Sequence, residues 1–256
     1  MRGKFALFAM VVASCGSGLR DDYVAPATID ELPRAPWYDP VPEPLPPARF
    51  QDPVAAHYHM QRHFGDLRMI EQLLIAGKLD EGLVLAALLT GQPDEPGLEP
   101  WAPQAKRVAD AVGRLVHAPG LDDALRREAQ VAVECAGCHV ASQSWPRFRP
   151  ISSPPPDGPL RKDRMARHVW AVDRLWEALV GADDARWTRG LEVLAATPLP
   201  FPPTGDPPQL AIDLQAKARA QLANRGTTLL DDRGTAYGEL LVTCAACHAS
   251  MHAKLP

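Results

Sequence analysis

The chain contains a repeat, and each copy ends in the same five-residue motif, Cys-x-x-Cys-His. We call the motif at residues 135–139 the first pentad and the motif at 244–248 the second pentad. Each copy also opens with Met-x-x-His, at residues 60–63 and 165–168, an offset of 105 positions. The two pentads are 109 positions apart, which is only four more than the distance between the opening motifs. A duplication with small changes in loop length explains this pattern, so the fold should divide into two similar units.

Between proline-rich stretches, the sequence has the period of amphipathic helices. A proline-rich linker at 145–160 separates a first block, 55–144, from a second block, 161–256. Apolar residues recur at helical spacing in both blocks, with few β-branched clusters. The pattern predicts an all-α protein with four helices per block, at 54–76, 79–91, 103–117 and 121–141, and at 162–181, 184–196, 208–224 and 231–251.

The charge balance argues against two classes of partner. The 27 Lys and Arg residues nearly balance 31 Asp and Glu residues, and no long basic run is present. We therefore expect no nucleic-acid partner. No stretch approaches the roughly 20 apolar residues that a membrane-spanning helix requires.

The first residues have the pattern of an export signal. Arg2 and Lys4 precede an uncharged apolar stretch, 5–13, that is too short to span a bilayer, and small residues follow it. This pattern predicts a signal peptide at 1–14 and a mature chain outside the cytoplasm.

The end of that stretch, Val-Ala-Ser-Cys-Gly at 12–16, resembles the bacterial lipobox. The resemblance implies that Cys15 is lipidated and becomes the new N-terminus. The alternative is an ordinary signal peptide with Cys15 inside or just after the removed segment. With lipidation, we expect a periplasmic or outer-membrane-associated lipoprotein of a Gram-negative bacterium, bound to the membrane by its lipid alone and followed by a proline-rich tether at 15–54.

The two pentads have the residues needed to attach haem. Two thiols three positions apart can add to the two vinyl groups of one haem, and the adjacent histidine can bind its iron. A thioredoxin-like pair would need a strand-to-helix context, which is not readable here. A zinc site or a disulfide framework would leave both histidines unexplained. We therefore expect two covalent c-type haems, attached by Cys135, Cys138, Cys244 and Cys247, with His139 and His248 on the iron.

A pentad at the end of a helical block resembles the class II cytochromes c, the cytochrome c-prime family. The resemblance covers both blocks, although outside the pentads its motifs are loose. It implies two tandem antiparallel four-helix bundles, each with one haem near its last helix. Many members carry Arg or Lys four positions after the pentad histidine. Here Gln143 and His252 occupy those positions, so that feature of the family does not transfer.

The first helix of each block offers a ligand for the other side of the iron. Positions 60, 63, 67, 70 and 74 form one helical stripe, and the second block repeats the same offsets from position 165. The resemblance to low-spin class II members implies Met60 and Met165 as iron ligands. His63 and His168 are the alternatives, and an open site is the third possibility.

These expectations favour an electron-transfer protein over an enzyme. With both sides of each iron filled, the protein would pass single electrons between protein redox partners. With an open side, it would instead be a protein that binds NO or CO. A di-haem peroxidase would need acid/base residues beside one haem, and nothing beyond the distal histidines suggests them. The oligomeric state is left open by the sequence.

Overall fold

The structure is a computed structural model that describes residues 23–24, 53–90, 99–144, 146–148, 150–198, 207–224 and 229–250. Helices dominate it, which confirms the all-α prediction. They are α1 Pro53–Ile75, α2 Leu79–Thr90, α3 Ala102–Val116, α4 Leu121–Ser142, α5 Arg161–Gly181, α6 Asp184–Ala196, α7 Pro207–Ala223 and α8 Leu230–Ser250. Each agrees with the sequence prediction to within one residue at both ends. The predicted signal peptide and Cys15 lie outside the described residues.

One short pairing joins the proline-rich tether to the linker. β1, Tyr23–Val24, pairs antiparallel with β2, Arg147–Phe148, so that Tyr23 lies opposite Phe148. No helix within the described ranges is both long enough and apolar enough to cross a membrane.

The helix ends follow from local backbone chemistry. Gly77 adopts a φ of 77°, which allows the tight turn between α1 and α2. Asp183 begins α6 by accepting hydrogen bonds from the backbone amides of Ala185 and Arg186, at 2.9 and 3.0 Å. These amides have no partner within the helix, so the aspartate satisfies them and fixes where α6 starts.

We call α1–α4 the first half and α5–α8 the second half. Within each half, every helix packs on the next one along the chain, and the first helix also contacts the fourth. The most extensive contact between two helices of the described residues, however, joins the halves, because α4 packs along α8. One cluster of buried apolar side chains runs through both halves. The division into tandem bundles at 55–144 and 161–256 stays a prediction.

Small residues allow α4 and α8 to approach closely. A Cβ added at Gly238 of α8 would lie 3.0 Å from the Arg126 Cα of α4, and one at Gly234 would overlap the Val133 side chain. A methyl group at Gly238 would therefore require the backbone of α4 to shift by a few tenths of an ångström, and one at Gly234 would require the Val133 side chain to move. The close contact brings together the two helices that carry the pentads.

Candidate haem sites

The four pentad cysteines are free thiols in the last turns of α4 and α8. Cys135 and Cys244 pack against the apolar core, and burial raises the pKa of each thiol to about 12. Burial also raises the pKa of Cys138 and Cys247. All four thiols are therefore protonated and uncharged at neutral pH. Among the described residues, no group of three or more His, Cys, Asp or Glu side chains is arranged to hold a metal ion.

His139 has one ring nitrogen fixed by the other half of the molecule. Its Nδ1 lies 2.9 Å from the carbonyl oxygen of Val180, in the last turn of α5. A carbonyl only accepts, so Nδ1 carries the hydrogen and Nε2 keeps its lone pair. Burial lowers the pKa of His139, although this hydrogen bond opposes the shift. Metal-binding histidines are commonly held by such a bond through the nitrogen that does not bind the metal.

His248 lies at the equivalent position of α8 but in different surroundings. It is buried, and its Nδ1 has no hydrogen-bond partner among the described residues. Burial lowers its pKa, so the ring is neutral. A buried ring nitrogen without a partner costs free energy, which binding to a group that fixes the ring would offset.

The predicted distal stripes lie on the inner faces of α1 and α5, as their spacing indicated. Met60, His63 and Met165 are half-buried, and His168 is buried. The apolar members of both stripes are buried: Leu67, Ile70, Leu74, Val172, Leu175 and Leu179. α1 packs on α4 and α5 packs on α8, so each stripe shares its half with a pentad.

One of the alternative ligands is already engaged. His168 donates a hydrogen bond from Nε2 to the Thr197 carbonyl oxygen at 2.7 Å. Binding iron through Nε2 would require this bond to break, which favours Met165 over His168 in the second half. The assignment of the distal ligands stays a prediction.

Gln143, which occupies a position where many class II members have Arg or Lys, ends α4. Its φ is 54°, and its backbone N–H donates to the carbonyl oxygens of His139 and Val140. The residue therefore closes the helix that carries the first pentad. Its counterpart in the second half, His252, lies outside the described residues.

Sequence reasoning missed a polar cluster between the two pentad helices. We call Arg68, Glu71, Glu128, Asp173 and Tyr237 the central polar cluster. All except Asp173 are buried. A signal was present, because Glu128 and Tyr237 each stand seven positions before the first cysteine of a pentad and so on nearly the same helix face.

Two surface grooves lie away from these sites. Ile151 and Arg189 line one, and Thr90 and Arg127 line the other. No pentad residue lines either groove, so the chemistry of the donor groups carries the assignment here rather than a cavity.

Comparison of the chain with protein-family models, with curated proteins and with solved structures found no match. The residues themselves therefore indicate the function. The side chains of the two pentads are of the types that bind haem covalently. Each pentad has a pair of free thiols at the required spacing, and a neutral histidine follows each pair.

Proposed function

We propose that this protein is an exported di-haem c-type cytochrome that passes single electrons between protein redox partners. The proposal includes two tandem four-helix bundles with one haem each, and a lipid anchor on Cys15. One observation carries it: both pentads have a pair of free cysteines three positions apart followed by a histidine, and the Nδ1 hydrogen bond of His139 leaves its Nε2 lone pair for iron.

The cysteines would hold the cofactor covalently. Cys135 with Cys138, and Cys244 with Cys247, would each hold one haem through two thioether bonds to its former vinyl groups. A bound haem supplies the one-electron chemistry.

The remaining residues would set the properties of the iron. His139 would bind it through Nε2 while the Val180 carbonyl holds the ring in place. The neutral thioether sulfurs of Met60 and Met165, if they bind the iron, would favour its reduced state and raise the potential. The packed helices would keep water away from the site.

The first test is an optical spectrum of the mature protein, expressed together with the haem-maturation machinery. We expect two covalent haems per chain with low-spin bands in both oxidation states. The matched variants Cys135→Ser with Cys138→Ser, and Cys244→Ser with Cys247→Ser, should each retain one haem. A wild-type chain without covalent haem would refute the proposal.

Carbon monoxide separates electron transfer from gas binding. Filled sixth positions predict that the reduced spectrum does not change when CO is added. Replacing both Met60 and Met165 by Ala should then produce high-spin haems that bind CO. A wild-type spectrum that already shifts with CO would contradict methionine ligation and favour a protein that binds NO or CO.

A further inference from the structure

The central polar cluster joins four helices from both halves. Arg68 of α1 bonds Glu71 on its own helix at 2.5 Å and pairs with Asp173 of α5. Tyr237 of α8 donates its hydroxyl to the Glu71 carboxylate at 2.7 Å. Glu128 of α4 is fully buried beside these groups. Such a cluster is unusual in an apolar core, because burying charged groups is costly unless each is paired.

The cluster lies at matching positions of the repeat. Arg68 and Asp173 are separated by the same 105 positions as the opening motifs. Glu128 precedes Cys135 by two helical turns, about 10 Å of helix rise, and Tyr237 precedes Cys244 by the same interval. The negative charge of Glu128 also contributes to the raised pKa of Cys135, and that of Glu71 to the raised pKa of Cys244. The cluster therefore lies within electrostatic reach of both haem-attachment sites.

Its charges do not balance when every carboxyl group is ionised. The cluster has three carboxyl groups, on Glu71, Glu128 and Asp173, and one guanidinium, on Arg68. Arg68 and Tyr237 bond the Glu71 carboxylate, whereas neither carboxyl oxygen of Glu128 has a hydrogen-bond partner among the described residues. Burial and the neighbouring charge of Glu71 raise the pKa of Glu128 well above its ordinary value.

The charged and titratable groups around Glu128 come from three of the helices packed on α4, namely α1, α5 and α8. Arg68 and Glu71 face it from α1, Tyr237 from α8, and Asp173 from α5 through Arg68. Two more ion pairs join α4 to its neighbours on its more exposed side. Arg107 of α3 pairs with Glu134 of α4, and Glu239 of α8 pairs with Arg126 of α4. Asp173, whose side chain is 29% exposed, brings one edge of the cluster to solvent.

We propose that Glu128 is a proton-binding site shared by the two halves, and that reduction of the haems is linked to proton binding there. This inference rests on the proposed function. One electron arrives from a one-electron protein donor, the iron gains that negative charge, and one proton from solvent water joins the Glu128 carboxylate. No bond to the haem forms or breaks. The attraction between the added electron and the proton couples the two events.

The linkage predicts how the haem potential depends on pH. Reduction raises the proton affinity of Glu128, so the potential falls with rising pH between the pKa of Glu128 in the oxidised protein and its higher pKa in the reduced protein. Below that window Glu128 is protonated in both oxidation states, and above it in neither.

The experiment measures both midpoint potentials of the holoprotein against pH by spectroelectrochemistry. Wild type should show the fall, and Glu128→Gln should lose it, because glutamine keeps the shape of the protonated acid but cannot titrate. Glu177→Gln is the matched control. Glu177 is also a buried glutamate, but it pairs with Arg174 and Arg186, so this variant should keep the wild-type slope.

An infrared difference spectrum, reduced minus oxidised, supplies a second measurement. A carboxylic-acid carbonyl band should appear on reduction in wild type and be absent in Glu128→Gln. An unchanged pH slope in Glu128→Gln, as titrating haem propionates would produce, overturns the inference while the proposed function stands. A chain that binds no haem overturns both.

Discussion

The two pentad histidines occupy equivalent positions of the repeat, yet among the described residues only His139 is held by a hydrogen bond across the halves. His139 donates to the Val180 carbonyl, whereas the buried Nδ1 of His248 has no hydrogen-bond partner among the described residues. The helix that each pentad helix contacts in the other half differs in the same way. α5 packs extensively on α4, which carries His139, whereas α1 packs less extensively on α8, which carries His248. Val180 belongs to the last four residues of its helix, whose carbonyls lack partners within the helix. His139 therefore also serves as a cap for α5, and its orientation depends on the second half.

The largest expected loss of stability comes from removing the guanidinium of Arg68, which pairs with carboxylates of both halves. Arg68→Met leaves Glu71 and Asp173 without their cationic partner in or beside the core. We expect a loss of about 3–5 kcal/mol in the free energy of unfolding, measured by urea titration, since a buried charge without its partner is strongly destabilising. Lys106→Met, which breaks an exposed pair with Asp110, should cost less than about 0.5 kcal/mol. Equal effects for both variants would show that the cluster does not stabilise the contact between the halves.

A smaller effect should follow from widening the contact between α4 and α8. Gly238→Ala would place a methyl group 3.0 Å from backbone of α4, which must move to make room. We expect a destabilisation of about 1–3 kcal/mol by thermal or urea unfolding. Gly113→Ala is the matched control in α3, because its added Cβ meets nothing within 4 Å. That variant should be neutral or stabilising by up to about 1 kcal/mol, since alanine favours helix. Destabilisation of the control by the same amount would place the cause outside the α4–α8 contact.

The smallest expected effect is the difference in the free energy of unfolding between variants of the two histidines, measured on the haem-free protein. His139→Leu removes the hydrogen bond to Val180 and should cost about 1–2 kcal/mol. His248→Leu removes a buried nitrogen that lacks a partner, so it should be neutral or stabilising.

The pH of that histidine comparison matters. Burial lowers the pKa of both rings in the folded protein, so the unfolded chain binds protons more readily. The two neutral histidines therefore make their full contribution to the free energy of unfolding above the ordinary pKa of about 6.5. That contribution is lost as the pH falls through the lower pKa values of the folded protein. Urea titrations at about pH 8 isolate the hydrogen bond from this effect. A larger loss for His248→Leu than for His139→Leu would reverse the comparison.

The helices and their inner faces were predictable from the sequence. The bounds of α5 and α6 follow from a helical period interrupted at Gly181 and Asp183, and the stripe from Met165 to Leu179 has the spacing of a buried face. The pentads define the candidate site without structural help, because their chemistry depends on spacing within one helix.

The contacts between the copies were not predictable. Periodicity shows that α4 and α8 each have an apolar face, but it does not show that these two faces meet each other. The bond from His139 to Val180 and the position of Glu128 beside Glu71 both depend on that pairing. The sequence neighbours of Glu128, which follows Arg126 and Arg127, did not indicate which groups would surround it in the fold.

The pair formed by Arg68 and Asp173 has a consequence for the history of the chain. In a symmetric dimer of identical subunits, a residue that touches its own counterpart near the twofold axis meets an identical side chain. An arginine would then face an arginine, and an aspartate an aspartate. If the halves descend from the duplication that the repeat predicts, opposite charges at matched positions require that the two copies changed independently, which a single gene encoding both permits. At this contact the halves are complementary rather than interchangeable, and neither could pair with a second copy of itself here without bringing like charges together.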